Sequence, residues 1–162
     1  RSVALIVNDR IDIALALDAD GVHVGRDDMP VAVARKILGQ EKIIGASVFT
    51  AAEALEAKRA GADYLGLSPI FTTPTKPELT EYLGFQGIAR IRQVVNIPLI
   101  GIGGLDETNV QGAIRAGLDG VAVVSGICSR QDPRAAAAAI RVAIAMAKED
   151  RSQDKPGCPV GP

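Results

Sequence analysis

The sequence predicts an α/β chain built as a parallel (β/α)8 TIM barrel, of which only the last six βα units are present. Three observations lead there. Short β-branched runs alternate with helical segments along the chain, apolar content reaches 48% while aromatics are only 3%, and polar residues gather just after nearly every strand. Alternation implies parallel strands joined by right-handed helical crossovers, in an open doubly wound sheet or a closed barrel. Few rings among many Ala, Val, Ile and Leu suit small-residue helices packed on a sheet buried on both faces. The GxGxxG turn expected after a first Rossmann strand is absent, whereas polar clusters at strand C-termini would all surround the one mouth of a barrel.

The elements follow in order. Strand-like runs fall at residues 3–7, 21–24, 43–47, 64–68, 98–102 and 121–124. Helical spacing lies between them, as at 51–60 and 108–116. Pro30 sits where a first helical turn would begin, and Thr50 with Glu53 forms a capping box. Gly61 and Gly117 stop their helices, and Asp132-Pro133 opens a last helix that runs to about Lys148. A closed barrel needs eight strands, so the six are numbered three to eight. At about 25 to 30 residues per βα unit, two further units of about 50 to 60 residues are expected before Arg1. Residues 1–148 then form a partial barrel, and 149–162, polar and rich in Gly and Pro, read as a disordered tail.

Composition narrows the function. The formal charge is −1 and no run of Lys or Arg occurs, so the electrostatic footprint of a nucleic-acid or membrane-surface binder is missing and small molecules are the expected partners. No stretch approaches the roughly 18 apolar residues of a membrane span, and the opening residues lack a basic-then-apolar leader; the expected location is the cytoplasm. Cys128 and Cys158 have no CxxC spacing and the chain holds a single histidine, so both thiols are taken as structural.

Candidate chemistry sits on the strand ends. Asp9 and Asp28 follow consecutive strands about 4.8 Å apart, so their carboxylates can converge on a Mg²⁺ ion, a hard cation usually held by one or two carboxylates with water and substrate phosphates. Helix N-capping is the alternative role for both. Gly103-Gly104 and Val124-Ser125-Gly126 end the last two strands, where barrels often bind phosphate through backbone N–H groups, although glycines also serve tight turns. The 16 residues from Pro69 to Gly84 exceed an idle connection and imply a lid or binding loop, and Thr73-Pro74-Thr75-Lys76 within it offers two hydroxyls and an ammonium. His23 lies inside a strand and reads as a hydrogen-bonded barrel-layer residue. Lys36, Arg59 and Arg115 read as surface charge.

The stretches Asn8-Asp9-Arg10, Gly21-Val22-His23-Val24-Gly25 with Asp28, Pro69-Ile70-Phe71 through Lys76, Gly101-Ile102-Gly103-Gly104 and Val121 to Ser125 together resemble the thiamine-phosphate synthase family over about residues 3–147. That family joins a hydroxymethylpyrimidine diphosphate to a thiazole phosphate and releases diphosphate. The resemblance implies Asn8 and Ser47 on the pyrimidine diphosphate, Asp9 and Asp28 on Mg²⁺, and Lys76 on the departing diphosphate, with Lys76 and Ser47 the residues closest to the chemistry. It implies Thr73 and Thr75 on the thiazole phosphate, with backbone donors at Gly104, Val124 and Ser125. A homo-oligomer is compatible with it. The family's Gln-x-Arg-x-Lys run is absent here, so this chain alone is expected to turn over poorly. A thiazole tautomerase of the same fold is the nearest rival reading, though it has no use for Asp9, Asp28 and Lys76; a non-catalytic phosphate-binding fragment is the other.

Overall fold

The computed structural model describes residues 3–72 and 81–153. Strand β1 (Ile6–Asn8) leads into helix α1 (Ile11–Ala16), and alternation continues through β2 (Gly21–Val24), α2 (Val31–Leu38), β3 (Ile43–Val48), α3 (Ala51–Arg59), β4 (Tyr64–Leu67), α4 (Gly84–Val94), β5 (Leu99–Ile102), α5 (Val110–Ala116) and β6 (Gly120–Ala122). A short α6 (Ser125–Cys128) and the long α7 (Pro133–Gln153) close it. Local chemistry places these boundaries. Thr50 Oγ1 accepts from Glu53 N at 3.2 Å while Glu53 Oε2 accepts from Thr50 N at 3.2 Å, so the capping box that opens α3 satisfies both orphan donors.

Every adjacent strand pair is parallel, and the spatial order equals the chain order, β1 to β6. A doubly wound sheet reverses its order at a switch point. This sheet does not reverse, so it is an arc of barrel wall. Register separates its two faces. Val22, Ile44, Leu65 and Leu99 point outward beneath the helices and are fully buried. Asn8, His23, Gly45 and Tyr64 stand side by side in one row of the opposite, concave face, where His23, Ser47, Tyr64, Ile100 and Ile102 are half-buried. The hydrophobic core is therefore the layer between sheet and helices. Apolar side chains left exposed include Leu5, Leu15 and Leu17 beside β1 and Val142 and Met146 on α7, at the two ends of the arc, as well as Val33 and Ile37 on α2.

Several sequence boundaries shift, three of them for reasons that the contacts show. The first strand begins at Ile6 and not at residue 3, because the backbone just before it is used otherwise: Leu5 N donates to Asp20 Oδ2 at 2.7 Å. The last strand ends at Ala122, and Val124 becomes the residue that caps α6, with its carbonyl accepting from Ile127 N and Cys128 N. Helix α7 continues past Lys148 to Gln153, so 149–153 belong to the fold and not to a disordered tail. The reason is tertiary. Arg151 Nη1 donates to the carbonyls of Ile114 and Leu118, at 3.1 and 2.9 Å, and Asp150 pairs with Arg115 at 2.6 Å, so polar residues dock the last turn onto the end of α5. Residues 154–162, Cys158 among them, lie outside the described residues. Among the described residues no helix is long and apolar enough to cross a membrane.

Candidate functional site

Parallel strands put all their C-terminal ends on one rim, so the polar residues that follow them lie along that rim. At the β1 end Asp9 adopts a positive φ of 64° and donates its N–H to His23 O at 2.8 Å, which turns the chain sharply as it leaves the sheet. Arg10, next along, is tied to Asp12 in an exposed ion pair. At the β2 end Asp28 folds back so that its Oδ2 accepts from Gly25 N at 2.7 Å, and Gly25 has no Cβ because one would stand 2.8 Å from that oxygen. Asn8, Asp9 and Asp28 are all exposed to solvent.

His23 links the two carboxylates electrostatically. Burial holds its imidazole below the ordinary value, against the charges of Asp9 and Asp28, which raise it. Both acidic groups thus act on the same ring from the same rim. Among the described residues no group of three or more His, Cys, Asp or Glu surrounds a metal-sized space. Two carboxylates without a protein cage suit a cation that keeps waters and takes its remaining ligands from substrate.

The ring itself sits on the concave face with both nitrogens engaged. Nδ1 lies 3.0 Å from Tyr64 Oη and Nε2 lies 2.9 Å from Ser47 Oγ. Tyr64 is half-buried, and burial pushes its phenol up. The imidazole is thus hydrogen-bonded on the concave face of the sheet, as its strand position suggested. Asn8, His23, Tyr64, Gly66, Ile100, Ile102 and Ala122 line a cavity of about 190 Å³ beside it.

A second cluster forms at the β5 and β6 ends. Gly103 and Gly104 both take left-handed conformations, with φ of 92° and 66°, and a Cβ on Gly104 would lie 2.5 Å from Thr72 O. The loop after β4 is stitched down against them. Ile70 N donates to Ile102 O and Phe71 N to Gly103 O, while the returning Leu83 N and Gly84 N donate to Pro69 O and Ile70 O. Both ends of the long 69–84 connection are therefore anchored at this rim. Gly126 brings α6 close, since a Cβ there would meet Leu105 O at 2.6 Å. The result is a polar cavity of about 320 Å³ lined by Thr72, Gly104, Leu105, Asp106, Ser125, Gly126, Ser129 and Arg130. Gly104 and Ser125 thus meet in one cavity, and Val124 stands beside it, more than half exposed. Thr73, Thr75 and Lys76 lie outside the described residues.

Some residues of these clusters carried no motif signal. Tyr64 is recognisable only once register sets it beside Gly45 and within reach of His23. Arg130 lines the second cavity with its guanidinium held by Glu107 at 3.0 Å and Asp106 at 3.6 Å. Asn109 precedes α5 as an N-cap should, yet its side chain does not cap. It spends Nδ2 on Gly104 O at 2.8 Å and accepts from Asp106 N at 3.1 Å, which fixes the glycine loop. Asp106 is held below the ordinary carboxylate range chiefly by the Thr108 hydroxyl, which donates to it at 2.6 Å.

Comparison with known proteins agrees with this arrangement. Residues 1–127 match the family model described as thiamine monophosphate synthase. The chain is 52% identical to thiamine-phosphate synthase of Chloroflexus aurantiacus, over 91% of this chain and 68% of that protein. It is 48% identical to the Roseiflexus sp. thiamine-phosphate synthase, over 93% of this chain and 64% of that one. Among solved structures, thiamine phosphate pyrophosphorylase from Pyrococcus furiosus superposes with a TM-score of 0.79 at 41% identity, covering 88% of this chain and 67% of that chain. The chain spans about two thirds of the length of these relatives. With its sequential parallel arc and its two polar clusters on one rim, the chain belongs to the thiamine monophosphate synthase family.

Proposed function

We propose that this protein acts as a thiamine-phosphate synthase, joining 4-amino-2-methyl-5-(diphosphooxymethyl)pyrimidine to a thiazole phosphate with release of diphosphate. The observation that carries the reading is the placing of two unlike polar clusters on one rim: carboxylates at the β1 and β2 ends, and a glycine-lined cavity at the β5 and β6 ends. A reaction between a diphosphate and a monophosphate has to hold two anions apart at their charged ends and together at their reacting atoms. In this reading Asn8 and Ser47 bind the pyrimidine diphosphate, and Gly104, Val124 and Ser125 offer donors to the thiazole phosphate. Thr73 and Thr75 join them there, and Lys76 meets the leaving group. Asp9 and Asp28 are the residues that would hold Mg²⁺, which when bound supplies charge neutralisation on the diphosphate.

The bond account needs no protein nucleophile. The C–O bond to diphosphate breaks with its electron pair on the departing oxygen, and the thiazole nitrogen lone pair forms the new C–N bond to the methylene carbon. Catalysis is then positioning plus stabilisation of charge on the leaving oxygen, a mode in which removal of one donor can cost about 100-fold or more. We infer further that the six strands are the third to eighth of an eight-stranded barrel. Exposed apolar side chains on the terminal elements α1 and α7 and the half-buried concave face support that closure. The test is a turnover assay with both substrates, following thiamine phosphate and free diphosphate together. Conversion of the thiazole phosphate to an isomer, with no diphosphate appearing, would instead support a tautomerase.

A further inference from the structure

On the concave face a hydrogen-bonded chain ends on Ser47, and its other two members, His23 and Tyr64, have no part in the metal or phosphate reading. Tyr64 Oη, His23 and Ser47 Oγ stand in line on β4, β2 and β3, with the imidazole between the two hydroxyls at 3.0 and 2.9 Å. Two glycines make this arrangement possible. A Cβ on Gly66 would lie 2.8 Å from His23 Cε1, and one on Gly45 would lie 2.1 Å from Tyr64 Cζ. Both rings therefore lie across positions of the sheet where only glycine leaves room. A residue pair seated this closely has one orientation, and the remaining freedom is which nitrogen carries the proton.

The acidity of the partners bears on that choice. A neutral imidazole has one donor and one acceptor nitrogen. Of its two partners the phenol is the stronger acid and the aliphatic hydroxyl oxygen the stronger base. That order favours Tyr64 as donor to Nδ1 and Nε2–H as donor to Ser47 Oγ. The serine oxygen then accepts from within the sheet, and its own proton is left to give.

We propose that His23 is a positioning residue that fixes Ser47 as a hydrogen-bond donor toward the pyrimidine diphosphate. The role rests on the synthase reading above and deepens it, because Ser47 is a ligand of that substrate only in that reading. With the opposite tautomer Ser47 would spend its proton on His23 and present only lone pairs to an anion, which is repulsive. The Tyr64 phenol thus acts through the imidazole on a hydroxyl it does not touch.

His23 is the only histidine of the chain, so ¹⁵N-histidine NMR reads its tautomer without assignment. At neutral pH the expected spectrum has Nε2 protonated and Nδ1 bearing the lone pair, and Tyr64→Phe erases that preference. In turnover, His23→Asn and Ser47→Ala are each expected to lower kcat about ten-fold, and the double variant no further, because both remove the same donor. His23→Gln, whose amide nitrogen can stand near the place of Nε2, recovers most of the loss, and KM for the thiazole phosphate stays unchanged throughout. A predominant Nδ1–H tautomer overturns the proposal, and so does a double variant whose losses multiply. Absence of magnesium-dependent binding of the pyrimidine diphosphate by the unsubstituted protein counts against the synthase reading instead, and the spectrum then decides the hydrogen-bond assignment by itself.

Discussion

Replacing Gly104 by Ala separates the cost of a backbone conformation from the cost of lost space, and it does so at the proposed phosphate cavity. Gly104 has φ of 66°, and a Cβ built there lies 2.5 Å from Thr72 O, 2.8 Å from Phe71 Cβ and 2.9 Å from Phe71 O. The left-handed conformation alone costs an alanine about 1–2 kcal/mol. Two of the three close atoms are backbone oxygens, so the clash has no flexible side-chain end to absorb it, and overpacking adds about 1–3 kcal/mol. Gly84 supplies the control. Its φ is 56° and, among the described residues, nothing lies within 4 Å of a Cβ there, so Gly84→Ala should cost the conformational part only, about 1–2 kcal/mol. Both substitutions reduce the freedom of the unfolded chain equally, and that contribution cancels between them. Urea denaturation should therefore place Gly104→Ala below Gly84→Ala by about 1–3 kcal/mol. In turnover, Gly104→Ala should raise KM for the thiazole phosphate about ten-fold or more, equivalent to about 1.4 kcal/mol of lost binding, with KM for the pyrimidine diphosphate unchanged. Equal stability of the two variants would refute the packing argument, and an unaltered thiazole phosphate KM would refute the place of Gly104 in the site.

Other outcomes follow from single contacts. Asp9→Asn and Asp28→Asn should each abolish magnesium-dependent binding of the pyrimidine diphosphate in isothermal titration, while binding of the thiazole phosphate survives; metal-independent tight binding in both variants would remove the cation from the account. Asp106 has its folded pKa held below the ordinary value of 3.8 by the Thr108 hydroxyl, so its contribution to stability is present above that value and lost as pH falls through the lower folded one. Asp106→Asn should accordingly flatten the acid end of the stability profile and leave its neutral part level, and an unchanged acid limb in urea titrations would contradict it. Arg151→Ala removes two hydrogen bonds from the guanidinium to the α5 terminus and should cost about 1–3 kcal/mol; a neutral result would return 149–153 to the status of a tail.

The fold was legible where one residue type has one physical use. Thr50 with Glu53 announces a helix start from the sequence because the two side chains satisfy each other's backbone donors locally, and the structure needs no distant residue to explain it. Boundaries set by tertiary contact were not legible. Arg151 looks like tail chemistry until Ile114 and Leu118 present carbonyls to it, and Val124 continues a β-branched run until the turn at α6 takes its carbonyl. Asn109 shows the same effect: it has the residue type and position of an N-cap, yet its Oδ1, the atom that would accept from the first turn, accepts from Asp106 N instead, while Nδ2 holds the Gly104 carbonyl.

The site divides along the same line. Glycine pairs and strand-end carboxylates are visible one strand at a time, so Asp9, Asp28, Gly104 and Ser125 could be singled out before any contact was known. The His23 chain could not, because its members are 41 and 24 residues apart and meet only through the registers that set Asn8, His23, Gly45 and Tyr64 in one row. A row of this kind needs its gaps as much as its side chains. Gly45 and Gly66 read in sequence as weak points of two strands, and in the sheet they are the spaces into which a phenol and an imidazole fit. Gly66→Ala should therefore displace the imidazole and lower turnover while the outward core of Ile44 and Leu65 stays intact, and a fully active Gly66→Ala protein would mean that the ring's position does not matter to the reaction.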